Sequence, residues 1–298
     1  MINTFAGILY QATCKGPKTI AVAVAEDNTV LTAIHNAKLE GIADAILVGN
    51  KEEIKAIAKD CDIDLKNYQI INIEDKMEAC RKAVELVSTG KAQLLMKGLV
   101  DTSVLLTSVL DESIGLRTNN VLSHVAVFNV PDYERLFYVT DAAMNIAPDL
   151  EQKKQIINNA VTLAHALGNS NPKVAVLSAV EKVNPKMQAT MDASELVRMY
   201  EDKEITGCIV GGPFALDNAV SDKAAKHKGI SHLVAGEADI LMVPTIEAGN
   251  MLYKSMVFFA RAKNAGIIVG AKAPVVLTSR ADSDEAKLYS IALGVLLS

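Results

Sequence analysis

Two turns near the C-terminus carry the residues best suited to chemistry. In the stretch TSRADSDE, Ser279 and Arg280 stand between an apolar run and a helical pattern. Asp282, with Glu285 three residues later, matches a capping box, so we predict that Asp282 is the N-cap of the last helix. A hydroxyl, a guanidinium and the positive end of a helix dipole then lie together, which suits a phosphate or an oxyanion. Taken alone, this turn is better explained as a surface loop with an ordinary cap.

The second turn lies in the stretch EAGNMLYKS, where Gly249 and Asn250 follow a predicted strand and Pro244. Lys254 then stands within an otherwise apolar helical stretch. Such a lysine either extends to the surface or faces an anion, and we favour the anion. Both turns fall where a strand ends and a helix begins, which is where open α/β sheets bind their ligands.

A third candidate follows the strand predicted at residues 93–96. The chain runs from it into Lys97 and Gly98, and Asp101 or Thr102 then caps an apolar helix. We predict that Lys97 and the free N–H groups at this helix start bind an anion. A solvated lysine at the end of a strand is an equally weighted alternative.

Other polar residues give weaker signals. The five histidines show no helical ligand pair and the four cysteines no C-x-x-C pair, so we predict no metal site and free thiols in a reducing compartment. The cluster of Lys223, Lys226 and Lys228 is more typical of a solvated helix end than of a phosphate contact. The sequence lacks a P-loop, a G-x-S-x-G motif, an H-E-x-x-H motif and a G-x-G-x-x-G motif after the first strand.

Strand-like and helical runs alternate along almost the whole chain, which predicts βαβ units and a largely parallel sheet. Half of the residues are hydrophobic but only 4% are aromatic, so the core is aliphatic, as in parallel sheets covered by helices. The predicted strands are residues 19–25, 45–48, 68–73, 93–96, 173–178, 206–210, 239–243, 266–269 and 275–278. The predicted helices are residues 29–40, 52–59, 77–88, 149–167, 186–200 and 249–264, and a last helix with one buried face. We also predict a turn at residues 211–213 and a helix cap at Gly266.

Residues 121–141 differ in character, since two β-rich runs flank a turn sequence and predict an antiparallel hairpin or a long excursion. We place a lobe boundary there, because 298 residues suit two joined lobes with a cleft. The net charge of −5, without a basic arm, gives no case for nucleic acid. We find no secretory signal and no uninterrupted apolar stretch of roughly 18 residues, so we predict a cytoplasmic protein that does not enter a membrane.

Taken together, three stretches resemble the phosphate acyltransferase family, which converts acyl-CoA and inorganic phosphate to acyl phosphate and CoA. They are AGEADILMVPTIEAGNMLYKS, VVLTSR and, upstream, KGLVDT. The similarity runs from about residue 94 to the end, and it is greatest to the branch that acts on butyryl and branched short-chain acyl groups. The resemblance implies acyl-CoA and phosphate as substrates, with no cofactor and no metal.

The resemblance also implies a fold similar to that of isocitrate and isopropylmalate dehydrogenases. Two α/β lobes flank a cleft, and the C-terminal segment returns to the first lobe. We therefore predict one lobe of residues 1–130 plus 271–298 and another of residues 131–270. Members of the family are commonly homodimers or larger.

Site residues are carried over on the matching motifs. The implied catalytic residues are Ser279 and Arg280, to which we add Asp284 as our own candidate. Phosphate or CoA would be bound by Lys97, Gly98, Thr102, Gly249, Asn250, Tyr253 and Lys254. Acetyl-specific relatives have an aspartate, the proposed base, where this chain has Ala286, so we predict that Asp282 or Asp284 takes that role here. They have arginines where this chain has Ser108 and Phe258, which predicts a wider, more apolar acyl pocket that includes Phe258.

The implied mechanism is a direct displacement within a ternary complex. Phosphate attacks the thioester carbonyl, Arg280 stabilises the oxyanion, and Ser279 donates to the departing thiolate or the carbonyl oxygen. Acylation of Cys208 is a minor alternative. A nicotinamide-dependent dehydrogenase of the same fold and a catalytically silent CoA-binding protein are the alternative functions.

Overall fold

The computed structural model describes residues 1–131, 133–279 and 281–298. Strands and helices alternate as predicted, so the mostly parallel α/β class is confirmed. The strands are β1 (Lys18–Ala23), β2 (Ala43–Gly49), β3 (Gln69–Asn72), β4 (Leu94–Lys97), β5 (Ser123–Asn129), β6 (Phe137–Thr140), β7 (Lys173–Leu177), β8 (Ile209–Phe214), β9 (Ile240–Met242), β10 (Lys263–Val269) and β11 (Val275–Val276). The α-helices are α1 (Phe5–Lys15), α2 (Asn28–Leu39), α3 (Lys51–Asp60), α4 (Lys76–Ser88), α5 (Thr102–Val109), α6 (Leu150–Ala166), α7 (Gln188–Glu201), α8 (Leu216–Val220), α9 (Asp222–His227), α10 (Ile246–Phe258) and α11 (Asp284–Leu297). Within the described ranges, no helix is long and apolar enough to cross a bilayer.

The contacts divide the chain into two compact units. The terminal unit comprises Phe5–Asn120 and Ala265–Ser298, and the central unit comprises Met1–Thr4 and Val121–Asn264. These units divide after residues 120 and 264, whereas the lobes inferred from the sequence divide after residues 130 and 270. The first boundary differs because β5 pairs with β6, so residues 121–130 fold with the hairpin that follows them.

The terminal unit contains the strand order β3-β2-β1-β4-β11-β10. All neighbouring pairs are parallel except β10 with β11. Although β11 is only two residues long, it lies between β4 and β10. A late segment of the chain therefore occupies an interior position in this sheet, where Val275 and Val276 are fully buried.

Helix α11 is buried on every side, so our prediction of a single buried face was wrong. Residues 286–295 are all buried, because α1, α2 and β11 all pack against the helix. The rings of Phe5 and Tyr289 stack with 4.3 Å between their centroids. At the far end, Lys15 Nζ donates to the carbonyl oxygens of Leu296 and Ser298 at 3.0 and 2.8 Å.

The central unit contains the strand order β5-β6-β9-β7-β8. β5 and β6 pair antiparallel, which confirms the hairpin predicted within residues 121–141, and the other neighbouring strands are parallel. The ring of Phe128 packs against Phe137 and Tyr253, with centroids 5.6 and 5.3 Å apart. This aromatic cluster attaches α10 to the hairpin.

The turn predicted at residues 211–213 is wrong, because these residues continue β8. A Cβ atom at Gly211 would lie 2.5 Å from the His232 ring, and one at Gly212 would lie 3.0 Å from Val176. Gly211 therefore allows close packing against the His232 ring and Gly212 against β7, and the two glycines do not form a turn.

The helix predicted to extend to residue 264 ends at Phe258 instead. The N–H groups of Phe259 and Ala260 both donate to the carbonyl of Ser255, which closes the last turn. The chain then enters β10, so Gly266 is a strand residue and not a helix cap.

Candidate functional site

The carboxyl ends of β1, β4 and β11 lie side by side at one edge of the terminal unit's sheet. Met96 of β4 pairs with Val22 of β1 on one side and with Val276 of β11 on the other, all in parallel. Lys97 ends β4, and Ser279 follows shortly after β11. The sheet thus brings Lys97 and Ser279 to the same edge, the edge at which open α/β sheets bind ligands.

Lys97 is 6% exposed. Its ammonium donates to the carbonyl oxygens of Gly98 and Val100, each at 3.1 Å. The solvated alternative does not fit this burial, because the side chain lies under the loop that leads into α5. Anion binding by Lys97 stays a prediction.

Gly98 lies where two backbone segments approach closely. Its N–H donates to the carbonyl of Ala23, and the N–H of Leu99 donates to that of Val24, both at 2.8 Å. A Cβ atom at Gly98 would lie 2.0 Å from the Val24 carbonyl oxygen. The glycine is therefore required by packing, whether or not it also contacts a substrate.

Helix α5 begins at Thr102, and Asp101 is its N-cap residue in an extended conformation. Thr102 is half-buried. Ser108, one of the two positions where acetyl-specific relatives were expected to have arginine, is 5% exposed on this helix. The predicted contact of Thr102 with phosphate or CoA is not tested by this geometry.

The loop after β11 folds on itself around Ser279. The Ser279 N–H donates to Asp282 Oδ2 at 2.6 Å, and the Asp282 N–H donates to the Ser279 carbonyl at 3.1 Å. The Ser279 hydroxyl oxygen accepts from the Ala281 N–H at 3.3 Å. Arg280 lies outside the described residues, so the loop is described by Ser279 before it and by residues 281–282 after it.

Asp282 is not the N-cap of α11, so the predicted capping box is wrong. The N-cap is Ser283, whose Oγ accepts from the Ala286 N–H at 3.1 Å. The Asp282 carboxylate accepts from the Ser279 N–H instead. Asp284, the predicted catalytic carboxylate, is the first residue of the helix and is half-buried.

Lys287 of α11 contacts this loop and was not predicted from the sequence. It is 3% exposed, and its Nζ donates to the carbonyl of Asp282 at 2.7 Å and to that of Ser279 at 3.4 Å. Burial lowers the pKa of its ammonium, and the carboxylates of Asp282, Asp27 and Asp284 partly oppose this effect. The signal was available, because Lys287 stands in an apolar helix just as Lys254 does.

In the central unit, the start of α10 packs against the loop that follows β6. A Cβ atom at Gly249 would lie 2.5 Å from the Asp141 carbonyl oxygen, and Asn250 Nδ2 donates to the carbonyl of Ala142 at 3.3 Å. The Asp141 carboxylate orders this loop by accepting from the N–H groups of Ala143 and Met144. Gly249 and Asn250 therefore hold two segments together, and their predicted substrate contacts are not tested.

The remaining predicted residues of α10 differ in burial. Tyr253 is 8% exposed, and its hydroxyl accepts from Asn264 Nδ2 at 2.6 Å. Lys254 is half-buried, with its Nζ 5.7 Å from the centroid of the Tyr253 ring. Phe258 is 65% exposed at the end of the helix. Roles of Tyr253 and Lys254 in CoA binding and of Phe258 in an acyl pocket stay predictions.

We expect Tyr253→Phe to lower the free energy of unfolding by about 1–3 kcal/mol, because the buried Asn264 amide loses its acceptor. Denaturant unfolding measures this change, and Tyr10→Phe at an exposed tyrosine is the matched control. The KM for acyl-CoA tests the second role of Tyr253. An unchanged KM would remove it from the predicted CoA-binding residues.

The buried thiols of Cys208 and Cys80 are poorly suited to acylation. Burial raises the pKa of the Cys208 thiol to about 11, so the thiolate needed for acylation is scarce near neutral pH. Burial has the same effect on Cys80. Among residues 1–131, 133–279 and 281–298, no group of three or more His, Cys, Asp or Glu side chains is placed to hold a metal ion.

The basic cluster near residue 230 is engaged in surface ion pairs. Lys226 Nζ lies 2.7 Å from Asp222, and Lys228 Nζ lies 3.3 Å from Asp217 and 3.5 Å from Glu181. This arrangement fits the favoured interpretation of a solvated helix end.

Comparison with solved structures defines the class of protein. A branched-chain phosphotransacylase from Enterococcus faecalis V583 superposes with a TM-score of 0.85 at 37% identity, covering 94% of this chain and 98% of that one. The fold is thus a phosphotransacylase fold, with candidate polar residues at the carboxyl edge of a parallel sheet.

Sequence comparison identifies the family. The model of the phosphate acetyl/butaryl transferase family matches residues 4–81 and 76–295. The chain is 51% identical to the phosphate butyryltransferase of Clostridium acetobutylicum over 298 residues, covering 100% of this chain and 99% of that protein. It is 49% identical to the phosphate acetyltransferase of Thermotoga maritima over 281 residues, covering 94% and 95%. The chain belongs to the phosphate acetyl/butaryl transferase family.

Proposed function

We infer that this chain is an enzyme that transfers a short acyl group from acyl-CoA to inorganic phosphate, giving acyl phosphate and CoA in a reversible reaction. The observation that carries the inference is the 51% identity to a phosphate butyryltransferase over essentially the full length of both proteins. The structural similarity to a branched-chain phosphotransacylase supports the same chemistry. These relatives give no comparable support to a nicotinamide-dependent dehydrogenase.

We propose butyryl or branched short-chain acyl groups as the preferred substrates. Identities of 51% to a butyryltransferase and 49% to an acetyltransferase do not separate the two by themselves. The proposal depends instead on Ser108 and Phe258, which stand where the resemblance leads us to expect arginines in acetyl-specific enzymes. Loss of two charges leaves more apolar surface for a longer acyl chain.

In the proposed mechanism, a phosphate oxygen attacks the thioester carbonyl while CoA leaves as a thiolate. Arg280 and helix N-termini stabilise the oxyanion, and Ser279 donates to the thiolate or to the carbonyl oxygen. The thiolate is a good leaving group, so most of the catalysis consists of positioning two anionic substrates. The raised pKa of Cys208 favours this direct route over an acyl-enzyme.

Proton transfer to the CoA sulfur needs a group other than Ala286. Asp284 is the better of the two candidate carboxylates, since Asp282 is committed to the Ser279 N–H. Asp284 also lies at the N-terminus of α11 beside the Ser283 cap. We therefore propose Asp284 as the proton-handling residue.

The proposed partners are acyl-CoA and inorganic phosphate, with CoA as a substrate and no cofactor. We propose a homodimer or larger homo-oligomer, by the resemblance to the family, and a cytoplasmic location. Nucleic acid is not a proposed partner, because the net charge is −5 and no basic arm is present in the sequence.

Phosphate-dependent release of thiol from acyl-CoA tests this function. We expect the highest kcat/KM with butyryl- or isobutyryl-CoA and a lower value with acetyl-CoA, across a series that also includes propionyl- and isovaleryl-CoA. Labelled butyryl-CoA should leave no label on the denatured protein. Release of thiol from none of these substrates would favour a silent CoA-binding protein, and retained label would contradict direct displacement.

A further inference from the structure

We propose that Lys287 is a positioning residue for the acyl transfer, whose ammonium holds the loop of residues 279–282 in its reactive arrangement. The inference rests on the proposed function of that loop, which contains Ser279 and Arg280. Lys287 is argued to act through the loop and not on the substrate.

The contacts of Lys287 bracket the loop. Its Nζ donates to the carbonyl oxygen at each end, that of Ser279 at 3.4 Å and that of Asp282 at 2.7 Å. The loop's own bonds, from Ser279 to Asp282 and back, shape the turn but do not attach it to the rest of the protein. Among the bonds described here, those of Lys287 attach the loop to helix α11.

The anchor is rigid because α11 is buried on all sides. The ring of Tyr289 stacks on Phe5, and the Ser290 hydroxyl accepts from the Gly266 N–H of β10 at 2.9 Å. A side chain on so constrained a helix transmits a fixed position to the loop. Displacement of catalytic groups by about 1 Å can cost roughly 100-fold in rate.

Carboxylates from three segments act electrostatically on the ammonium. Asp282 comes from the loop, Asp27 from the residue before α2, and Asp284 from the start of α11. These charges favour the protonated lysine, whereas burial favours the neutral amine, and burial has the larger effect on the pKa. A neutral amine donates weaker hydrogen bonds than an ammonium. The hold on the loop therefore weakens as the pH rises and the ammonium loses its proton. Because the pKa is lowered, this happens at a lower pH than the ordinary lysine pKa of 10.5 would give.

Two variants test the proposal, with initial rates measured from about pH 7 to pH 10 and corrected for spontaneous thioester hydrolysis. We expect Lys287→Met to lower kcat by roughly 100-fold with KM for acyl-CoA changed by less than about threefold. Lys287→Arg keeps donors and stays charged over the whole range. We expect wild-type activity to fall at alkaline pH as Lys287 loses its proton. Lys287→Arg should recover much of the kcat and move this fall to higher pH.

Lys153→Met is the matched control, because Lys153 is another buried lysine, bonded to Asp192 in the central unit. We expect it to lower stability without moving the pH profile. Wild-type enzyme without phosphate-dependent thiol release would refute the proposed function itself. If the wild type is active, either of two results would overturn the role of Lys287. One is a wild-type kcat in Lys287→Met. The other is a Lys287→Arg variant in which kcat is not recovered and the alkaline fall in activity does not move. If Lys287→Met does not fold, the profile of Lys287→Arg decides.

Discussion

Replacing Ser279 by alanine is expected to lower kcat by roughly 100-fold while the Kd for CoA changes by less than about threefold. The proposed donor interaction strengthens as charge develops on the carbonyl oxygen or the sulfur, so its loss affects the transition state more than the bound substrate. The Ser279 hydroxyl oxygen accepts only a long bond of 3.3 Å from Ala281 among its described contacts. Steady-state rates with butyryl-CoA and calorimetric CoA binding measure the two effects.

Ser283→Ala is the matched control for this result. It changes the same residue type four positions along the chain, but it removes the N-cap of α11 and not a proposed catalytic group. We expect a loss of about 1 kcal/mol in the free energy of unfolding and a kcat close to that of the wild type. Equal loss of kcat in both variants would mean that Ser279 acts only by shaping the loop.

Gly98→Ala is expected to cause the largest loss of stability, about 3 kcal/mol. The added Cβ atom would lie 2.0 Å from the Val24 carbonyl oxygen and 2.8 Å from that of Ala23. Both neighbours are backbone atoms in β1 or directly after it, so neither can move without disturbing the centre of the terminal unit's sheet. Denaturant unfolding gives the change in free energy.

Gly90→Ala separates this clash from the general cost of replacing glycine. Gly90 has a φ of +76° and nothing within 4 Å of the added Cβ position, so only backbone strain of about 1–2 kcal/mol is expected. If Gly98→Ala is no less stable than Gly90→Ala, the close approach to β1 is not a constraint. Loss of CoA affinity beyond the loss of folded protein would support the additional binding role predicted for Gly98.

Much of the fold could be predicted, because alternating strand and helix patterns are local. The hairpin of β5 and β6 was predicted correctly from two β-rich runs around a turn sequence. The end of α10 was not, because apolar residues continue past Phe258 and the helix stops through backbone bonds to Ser255. Burial of α11 on all sides also escaped prediction, since α1 and α2 come from the far end of the chain.

The candidate site shows the same division. Because Lys97 and Ser279 follow parallel strands in the sequence, their location at one edge of the sheet could be predicted. The local sequence could not distinguish Asp282 from Ser283 as the N-cap of α11. Both are good N-cap residues. The Ser279 N–H donates a hydrogen bond to the Asp282 carboxylate, which leaves Ser283 as the cap. Lys287 was overlooked for a similar reason, because its environment is created by Asp27 and by helices packed around α11.

The placement of β11 between β4 and β10 has a consequence for the order of events during translation. The central unit's strands, β5 to β9, all leave the ribosome before β11 and α11 are made. Domains generally fold as they emerge, but the terminal unit must keep β4 without its neighbour until residues 275–276 arrive. Until then, the segment Phe5–Asn120 exposes the apolar edge of β4 that β11 later covers. Such an exposed edge favours association with a chaperone.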